Sequence, residues 1–245
     1  MTAPTTEPAV SPVIVLGMHR SGTSMLTGSL EAAGVLLGEV NNAAPHNRKG
    51  NKEHEGVRRL NDRILARYDA DWKHPPFGKL PLTWTSEEFA EGLLQTSSVS
   101  GSGRIWGFKD PRTIWTLEGW LALFPKAHLI GVFRHPVAVR DSLLARPGAL
   151  QIPEEDALGL WERTNRRLLS LKQNLGFPLL HFSETDLEGR FMAPLGAFTR
   201  SLGLDVAPTG FFDGELVHQK VGDEPCPASL VQLFTELESQ AASSG

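Results

Sequence analysis

The chain has 245 residues, 40% of them apolar and 21% charged, which excludes a wholly disordered or collagen-like polymer and gives room for one sizeable α/β domain rather than two. Its 24 basic and 28 acidic residues leave a net charge of −4, so nothing global draws it to nucleic acid or to an anionic membrane, and any basic site has to be local. A single cysteine, Cys226, cannot form an intrachain disulfide and fits a reducing compartment.

The N-terminal stretch 1–11 is rich in Thr and Pro and lacks the basic and apolar segments of a signal peptide; with 241–245 it is expected to be an unstructured tail around a domain of residues 12–240. No apolar run approaches the ~20 residues that span a bilayer, so a cytoplasmic protein without a transmembrane segment is expected. Short β-branched runs at Val13–Leu16, 104–109, His128–Phe133 and 177–182 alternate with segments of helical period. That alternation predicts a single α/β domain, a central parallel sheet flanked by helices. Two stretches interrupt it. Residues 69–84, rich in Pro, Gly and Trp, predict a shaped loop able to wall an acceptor pocket, and 97–103, nearly all Ser and Gly, predict a flexible one.

The first chemistry-bearing motif follows the first strand: Gly17-Met-His19-Arg20-Ser21-Gly22-Thr23-Ser24, leading into a helix with Leu26, Leu30 and Ala33 on one side. A strand aims such a loop, Gly22 lets the backbone approach a ligand, and the free N–H groups at the helix start point at an anion. Gly17 and Gly22 have the spacing of the nucleotide-triphosphatase loop, but Thr23 stands where that loop has its lysine. A cation is offered instead by Arg20. Triphosphatases also need an acidic strand end to organise Mg²⁺, whereas here the strands end in Lys109 and Arg134, as if anions were held directly by cations, without a metal. The second motif, Arg134-His135-Pro136 through Ser142, is a strand end followed by a helix with Pro at its first position. Ser142 falls about two turns on from His135, so one phosphate along that helix would touch Arg134 and Ser142 together.

With these two elements, and with Gly50-Asn-Lys-Glu53 leading to Leu60-Asn61-Asp62 and Trp106-Gly-Phe-Lys109-Asp110-Pro111-Arg112-Thr113, the sequence resembles the sulfotransferase family, in its bacterial branch. The resemblance implies a sheet of P-loop triphosphatase-like topology and transfer of a sulfuryl group from 3′-phosphoadenosine 5′-phosphosulfate to a hydroxyl or amine, with adenosine 3′,5′-bisphosphate as product. By it, His19, Arg20, Ser21, Gly22, Thr23 and Ser24 would hold the 5′-phosphosulfate, and Arg134 and Ser142 the 3′-phosphate. Glu53 would be the general base and Lys109 would help neutralise the moving sulfuryl group, with Arg20 stabilising the departing phosphate. Val57, Leu60, Ile64 and Tyr68 form a helical stripe that Glu53 extends by a turn, so Glu53 is expected to point inward and Glu55, about 200° round, to face solvent. His54 is the alternative base; His46, His54 and His19 show no metal-ligand spacing with further ligands, and most of the histidines are expected to be ordinary polar residues. Asp110 is expected to cap a helix with Pro111 at its first position. The basic, glycine-rich C-terminal segment of animal cytosolic members is absent, which leaves the adenine contacts unassigned and Lys220 as a weak candidate for a closing segment. The acceptor class stays open among small hydroxylated molecules, lipids and saccharides. A nucleotide kinase and a non-catalytic nucleotide-binding module are the competing readings.

Overall fold

The computed structural model describes residues 10–42, 50–76, 78, 80–145, 152–183, 185–204 and 226–242. His46, Phe77 and Lys220 lie outside them. In chain order the elements are β1 (Val13–Leu16), α1 (Thr23–Ala32), α2 (Glu55–Ala66), α3 (Ser86–Ser100), β2 (Gly107–Lys109), α4 (Thr113–Leu123), β3 (His128–Phe133), α5 (Pro136–Leu144), α6 (Glu154–Leu175) and β4 (Leu179–His181). A π-helical turn, Glu188–Met192, then leads into α7 (Ala193–Ser201), and α8 (Ala228–Ala242) follows. The last helix runs past residue 240, where the sequence places the start of a tail.

All four strands are parallel, in the order β2-β1-β3-β4, as the alternation of patterns predicts. Every residue of β1 is buried because both faces of the sheet are covered, and its side chains alternate between two cores. Ile14 and Leu16 join Phe108, Phe133, Trp106, Trp120 and Trp161 on one face, while Val13 and Val15 join Leu26, Leu30, Ile130 and Val132 on the other. From β1 the chain crosses to β2 on one side, then returns to β3 on the other. The crossovers therefore diverge between β1 and β3, and open α/β sheets bind ligands in the crevice above such a point.

Local boundaries differ from the sequence expectation where tertiary pairing decides them. β2 begins at Gly107 because Trp106 is taken into a separate bridge with Leu36. Residues Ser97 to Ser100, expected in a flexible loop, form the last turn of α3. That helix is launched by a capping box, with Thr85 Oγ1 accepting from Glu88 N and Glu88 Oε2 from Thr85 N, and its end is held by buried Val99. Nucleation of this quality carries a helix through poor formers. Trp84, expected in the wall of a pocket, is instead core, edge-on to Trp120 at 5.0 Å.

Candidate active site

The loop after β1 is shaped by two glycines. A Cβ on Gly17 would meet Val132 O at 2.5 Å, and one on Gly22, at φ +88°, would meet the Phe182 ring at 2.7 Å. Gly22 is also the residue before α1 and supplies no side-chain cap, so the first-turn N–H groups of that helix have neither an intrahelical acceptor nor a capping oxygen. Ser21 is fully buried in the same loop, and its Oγ has no hydrogen-bond partner among the described residues. An unmet hydroxyl beside unmet amides is what a loop built to receive an anion presents.

Arg20 has a left-handed backbone, φ 67°, a conformation that costs a non-glycine residue about 1 kcal/mol or more. It aims the side chain across the crevice to α5, where Nε donates to Ser142 Oγ at 2.6 Å. Arg134, at the end of β3, donates from Nη1 to the Arg20 carbonyl at 3.3 Å. Its guanidinium lies over the Phe182 ring, 5.4 Å from the centroid, and its own carbonyl accepts from Trp161 Nε1. The pKa of Arg20 is lowered by burial and then by the charge of Arg134, and among the described residues no carboxylate forms an ion pair with Arg20. Arginine stays charged regardless, so two guanidiniums face one crevice and repel. The 5′ and 3′ residue sets, assigned from sequence to opposite ends of a ligand, thus meet in one continuous basic edge through Arg20 and Ser142. Phe182 holds that edge from below, wedged between Gly22 and Arg134; its place just after β4 gave no signal in the sequence.

The second group sits at the end of β2. Lys109, 1% exposed, donates from Nζ to Glu53 Oε1 at 2.8 Å. Glu53 does not extend α2 as the stripe predicts: the helix begins at Glu55, and Glu53 lies in the preceding non-helical segment, where its carbonyl accepts from Asn41 N at 3.1 Å and Lys52 N donates to the Asn41 carbonyl at 3.0 Å. It nonetheless reaches the sheet edge, because β-type pairing of 52–54 with 40–41 turns it there. Glu55 is exposed and paired with Arg58 and Arg59, which holds its carboxyl down at about 2. His54 caps α2, its Nδ1 accepting from Val57 N at 3.4 Å, and burial lowers its pKa. A ring nitrogen engaged as a cap is a poor base, so the geometry favours Glu53 over His54.

Asp110 is fully buried, but α4 starts at Thr113 rather than at Pro111, so Asp110 closes a turn ahead of the helix instead of capping it. Its Oδ1 accepts from Arg112 N at 2.8 Å and its Oδ2 from Arg112 Nη1 at 3.0 Å. Burial pushes its carboxyl up against the pull of Arg112. Asn61 of α2 fills its hydrogen-bonding capacity here. It donates to Asp110 Oδ1 and Thr113 Oγ1, and accepts from Thr116 Oγ1 at 2.7 Å and Trp120 Nε1 at 3.0 Å. Arg112 Nε lies 2.5 Å from Asp62 Oδ1, a contact that is electrostatic because the N–H is not aimed at the oxygen. Of the remaining loop residues, Ser24 Oγ donates to Asn51 O at 3.1 Å, Thr23 is buried, and the His19 ring packs on Trp72 at 4.9 Å. Among the described residues no group of three or more His, Cys, Asp or Glu is placed to hold a metal ion, and no helix is long and apolar enough to cross a membrane.

The candidate site thus combines a parallel sheet, a glycine-bounded loop after its first strand, a basic residue after its third and a Glu–Lys pair beside them. Residues 12–183 match the model of the sulfotransferase family, and the chain belongs to that family. Solved structures of similar fold include the sulfotransferase domain of the Synechococcus PCC 7002 olefin synthase, at 17% identity and TM-score 0.53 over 98% of each chain. The sulfotransferase domain of the curacin biosynthetic pathway aligns at 15% identity and TM-score 0.58, over 95% of this chain and 99% of that one. A sulfotransferase of Mycobacterium tuberculosis H37Rv aligns at 13% and 0.51, over 96% of this chain and 77% of that one. No curated protein matches the chain significantly.

Proposed function

We propose that the protein transfers a sulfuryl group from 3′-phosphoadenosine 5′-phosphosulfate to a hydroxyl or amine of a small-molecule, lipid or saccharide acceptor, in the cytoplasm. The observation that carries this reading is the basic edge: Arg20 and Arg134 face one crevice beside the first turn of α1 and the orphaned Ser21 hydroxyl. These groups fit a ligand with two phosphate ends, which would relieve the repulsion between the guanidiniums and satisfy the unmet donors. When bound, the donor supplies a sulfuryl group on a phosphate leaving group.

The chain's residues then divide the work. The N–H groups of residues 22–24, Ser21 Oγ and Arg20 hold the 5′ end and the charge that grows on it, while Arg134 and Ser142 hold the 3′-phosphate. Glu53 takes the acceptor's proton, its Oε1 being held by Lys109 Nζ. The pairing aims Glu53 before the acceptor arrives and places Lys109 where it can turn to an anion at the sheet edge. A kinase-like reading is disfavoured by Lys109 and Arg134 at the ends of β2 and β3 and by the engagement of the nearby Asp110 carboxylate with Arg112 and Asn61. Calorimetry tests the choice. Adenosine 3′,5′-bisphosphate should bind and Mg-ATP should not, and Arg134→Ala should weaken the bisphosphate at least tenfold, about 1.4 kcal/mol. Preference for Mg-ATP would reject the donor assignment.

A further inference from the structure

The residues just ahead of Glu53 make contacts of their own with α1. Lys52 is buried, and its Nζ donates to Glu31 Oε2 at 2.7 Å and to Asn42 Oδ1 at 2.5 Å. One residue earlier, the Asn51 carbonyl accepts from Ser24 Oγ, in the first turn of the same helix. Ser24 and Glu31 are separated by about two turns and so share one face of α1. Residues 51–53 thus form a strap that is pinned to that face at two points and paired through its backbone with Asn41. The next side chain along the strap goes to a different element: Glu53 meets Lys109 at the end of β2.

We propose that Lys52 is a positioning residue for Glu53: paired with Glu31, it fixes the register of the strap so that Glu53 is the side chain delivered to Lys109. The proposal rests on the reading of Glu53 as base and names what aims it. The order of charges supports it. Lys52–Glu31 and Glu53–Lys109 are neighbouring ion pairs of opposite sense, so a strap slipped by one residue would bring ammonium to ammonium at Lys109 or carboxylate to carboxylate at Glu31. The backbone supports it as well. Lys52 has φ 55°, a left-handed conformation that a lysine keeps only where its surroundings over-determine it. Glu31, Asn42 and Asn41 are those surroundings, and they hold the residue next to the base. Ser24 lies in the turn whose N–H groups would hold the donor's 5′ end, so a single helix carries both the donor contacts and the anchors of the base. A base displaced by about 1 Å is enough to slow a transfer about 10²-fold.

The test compares Lys52→Met, which keeps the stem and removes the charge, with Lys52→Arg and Glu31→Ala, and repeats Lys52→Met in the Glu53→Gln background. Turnover is followed as adenosine 3′,5′-bisphosphate released from saturating 3′-phosphoadenosine 5′-phosphosulfate, with 1-butanol, 4-methylphenol, methyl glucoside and 2-phenylethylamine supplied in turn as acceptors. Calorimetry of the bisphosphate reports on the donor loop of each variant. Lys52→Met should lower kcat about 10- to 10²-fold with the bisphosphate Kd in place. Glu31→Ala, at the more exposed end of the pair, should lower kcat in the same sense and carries the test alone should Lys52→Met fail to fold, while Lys52→Arg should restore most of the rate. In Glu53→Gln, Lys52→Met should cost nothing further, because a residue that acts by aiming the carboxylate has nothing left to aim. Native turnover in Lys52→Met or Glu31→Ala, an equal loss with and without the Glu53 carboxylate, or a bisphosphate Kd that weakens in step with kcat overturns the positioning role and leaves Glu53 as base. Full turnover in Glu53→Gln, or no release by the native protein with any of the four acceptors although the bisphosphate binds, removes Glu53 as base and this proposal with it. Absence of bisphosphate binding to the native protein overturns the donor reading on which both stand.

Discussion

Glu53 and Lys109 carry opposite demands in a single contact. A buried ammonium needs a partner, since leaving one ion of a buried pair alone costs about 3 to 5 kcal/mol, and a general base needs an accessible lone pair. Glu53 meets both because its side chain keeps 14% exposure while Lys109 keeps 1%. Glu53→Gln retains an oxygen for Lys109 Nζ but cannot accept a proton. Turnover should therefore fall about 10²- to 10⁴-fold with the bisphosphate Kd unchanged; retained turnover would remove Glu53 as base. The reverse separation is expected at Gly22. Any Cβ there is strained at φ +88° and collides with Phe182, so Gly22→Ala should weaken bisphosphate binding at least tenfold by displacing the loop or the ring under Arg134. Equal affinity for variant and native protein would show that the loop does not hold the ligand. The loop glycines, Arg20 and Arg134 were legible in the sequence because strand, loop and helix are contiguous there. The Glu53–Lys109 contact joins residues far apart in the chain and was visible only as two separate candidates.

Between elements, Asn61 joins α2 to the turn that follows Lys109. From α2 it ties the turn after β2 to α4 through four bonds, each to a buried group. Sequence patterning places Asn61 on α2 but cannot show that its amide is fully used, because its partners come from a helix that starts two residues later than Pro111 suggests and from the turn ahead of it. The proline at position 111 suggested a helix from that point; instead, the Asp110 carboxylate bonds the Arg112 amide and delays the helix to Thr113. The 97–103 expectation failed over Ser97–Ser100 for a related reason, since composition there says nothing of the capping box launched at Thr85, about three turns upstream. Asn61→Ala would strand the Trp120 indole N–H and Thr116 hydroxyl away from water. At about 1 to 3 kcal/mol for each buried group left unmet, urea titration should show a loss of about 3 kcal/mol. A loss under about 1 kcal/mol would mean that water replaces the amide and that the network does not join α2 to α4.

At the scale of the whole molecule, the far edge of the sheet is closed by α8, which packs over β4 where His181 ends the strand. The His181 ring stacks on Phe133 at 4.8 Å and meets Phe234 edge-on at 5.2 Å. Arg190 Nη1 lies 3.1 Å from its Nδ1, Glu238 Oε1 lies at 3.4 Å but is bonded to Arg190, and His135 and Asp186 complete the surrounding charges. Burial first, then Arg190 and His135, hold the imidazole down at about 4, so the fold keeps it neutral. The unfolded chain restores an ordinary value near ~6.5 and binds the extra proton between those two pH values. Stability from this site is therefore complete above pH ~6.5 and lost as pH falls towards about 4, by about 3 kcal/mol at most. Thermal unfolding followed across that window should show the native protein losing stability faster than His181→Phe, which keeps a ring between Phe133 and Phe234 and has nothing to protonate. Parallel curves for the two proteins would place the acid sensitivity elsewhere. A widening gap towards low pH would show that protonation of His181, held between Phe133 and Phe234 of α8, carries the acid sensitivity.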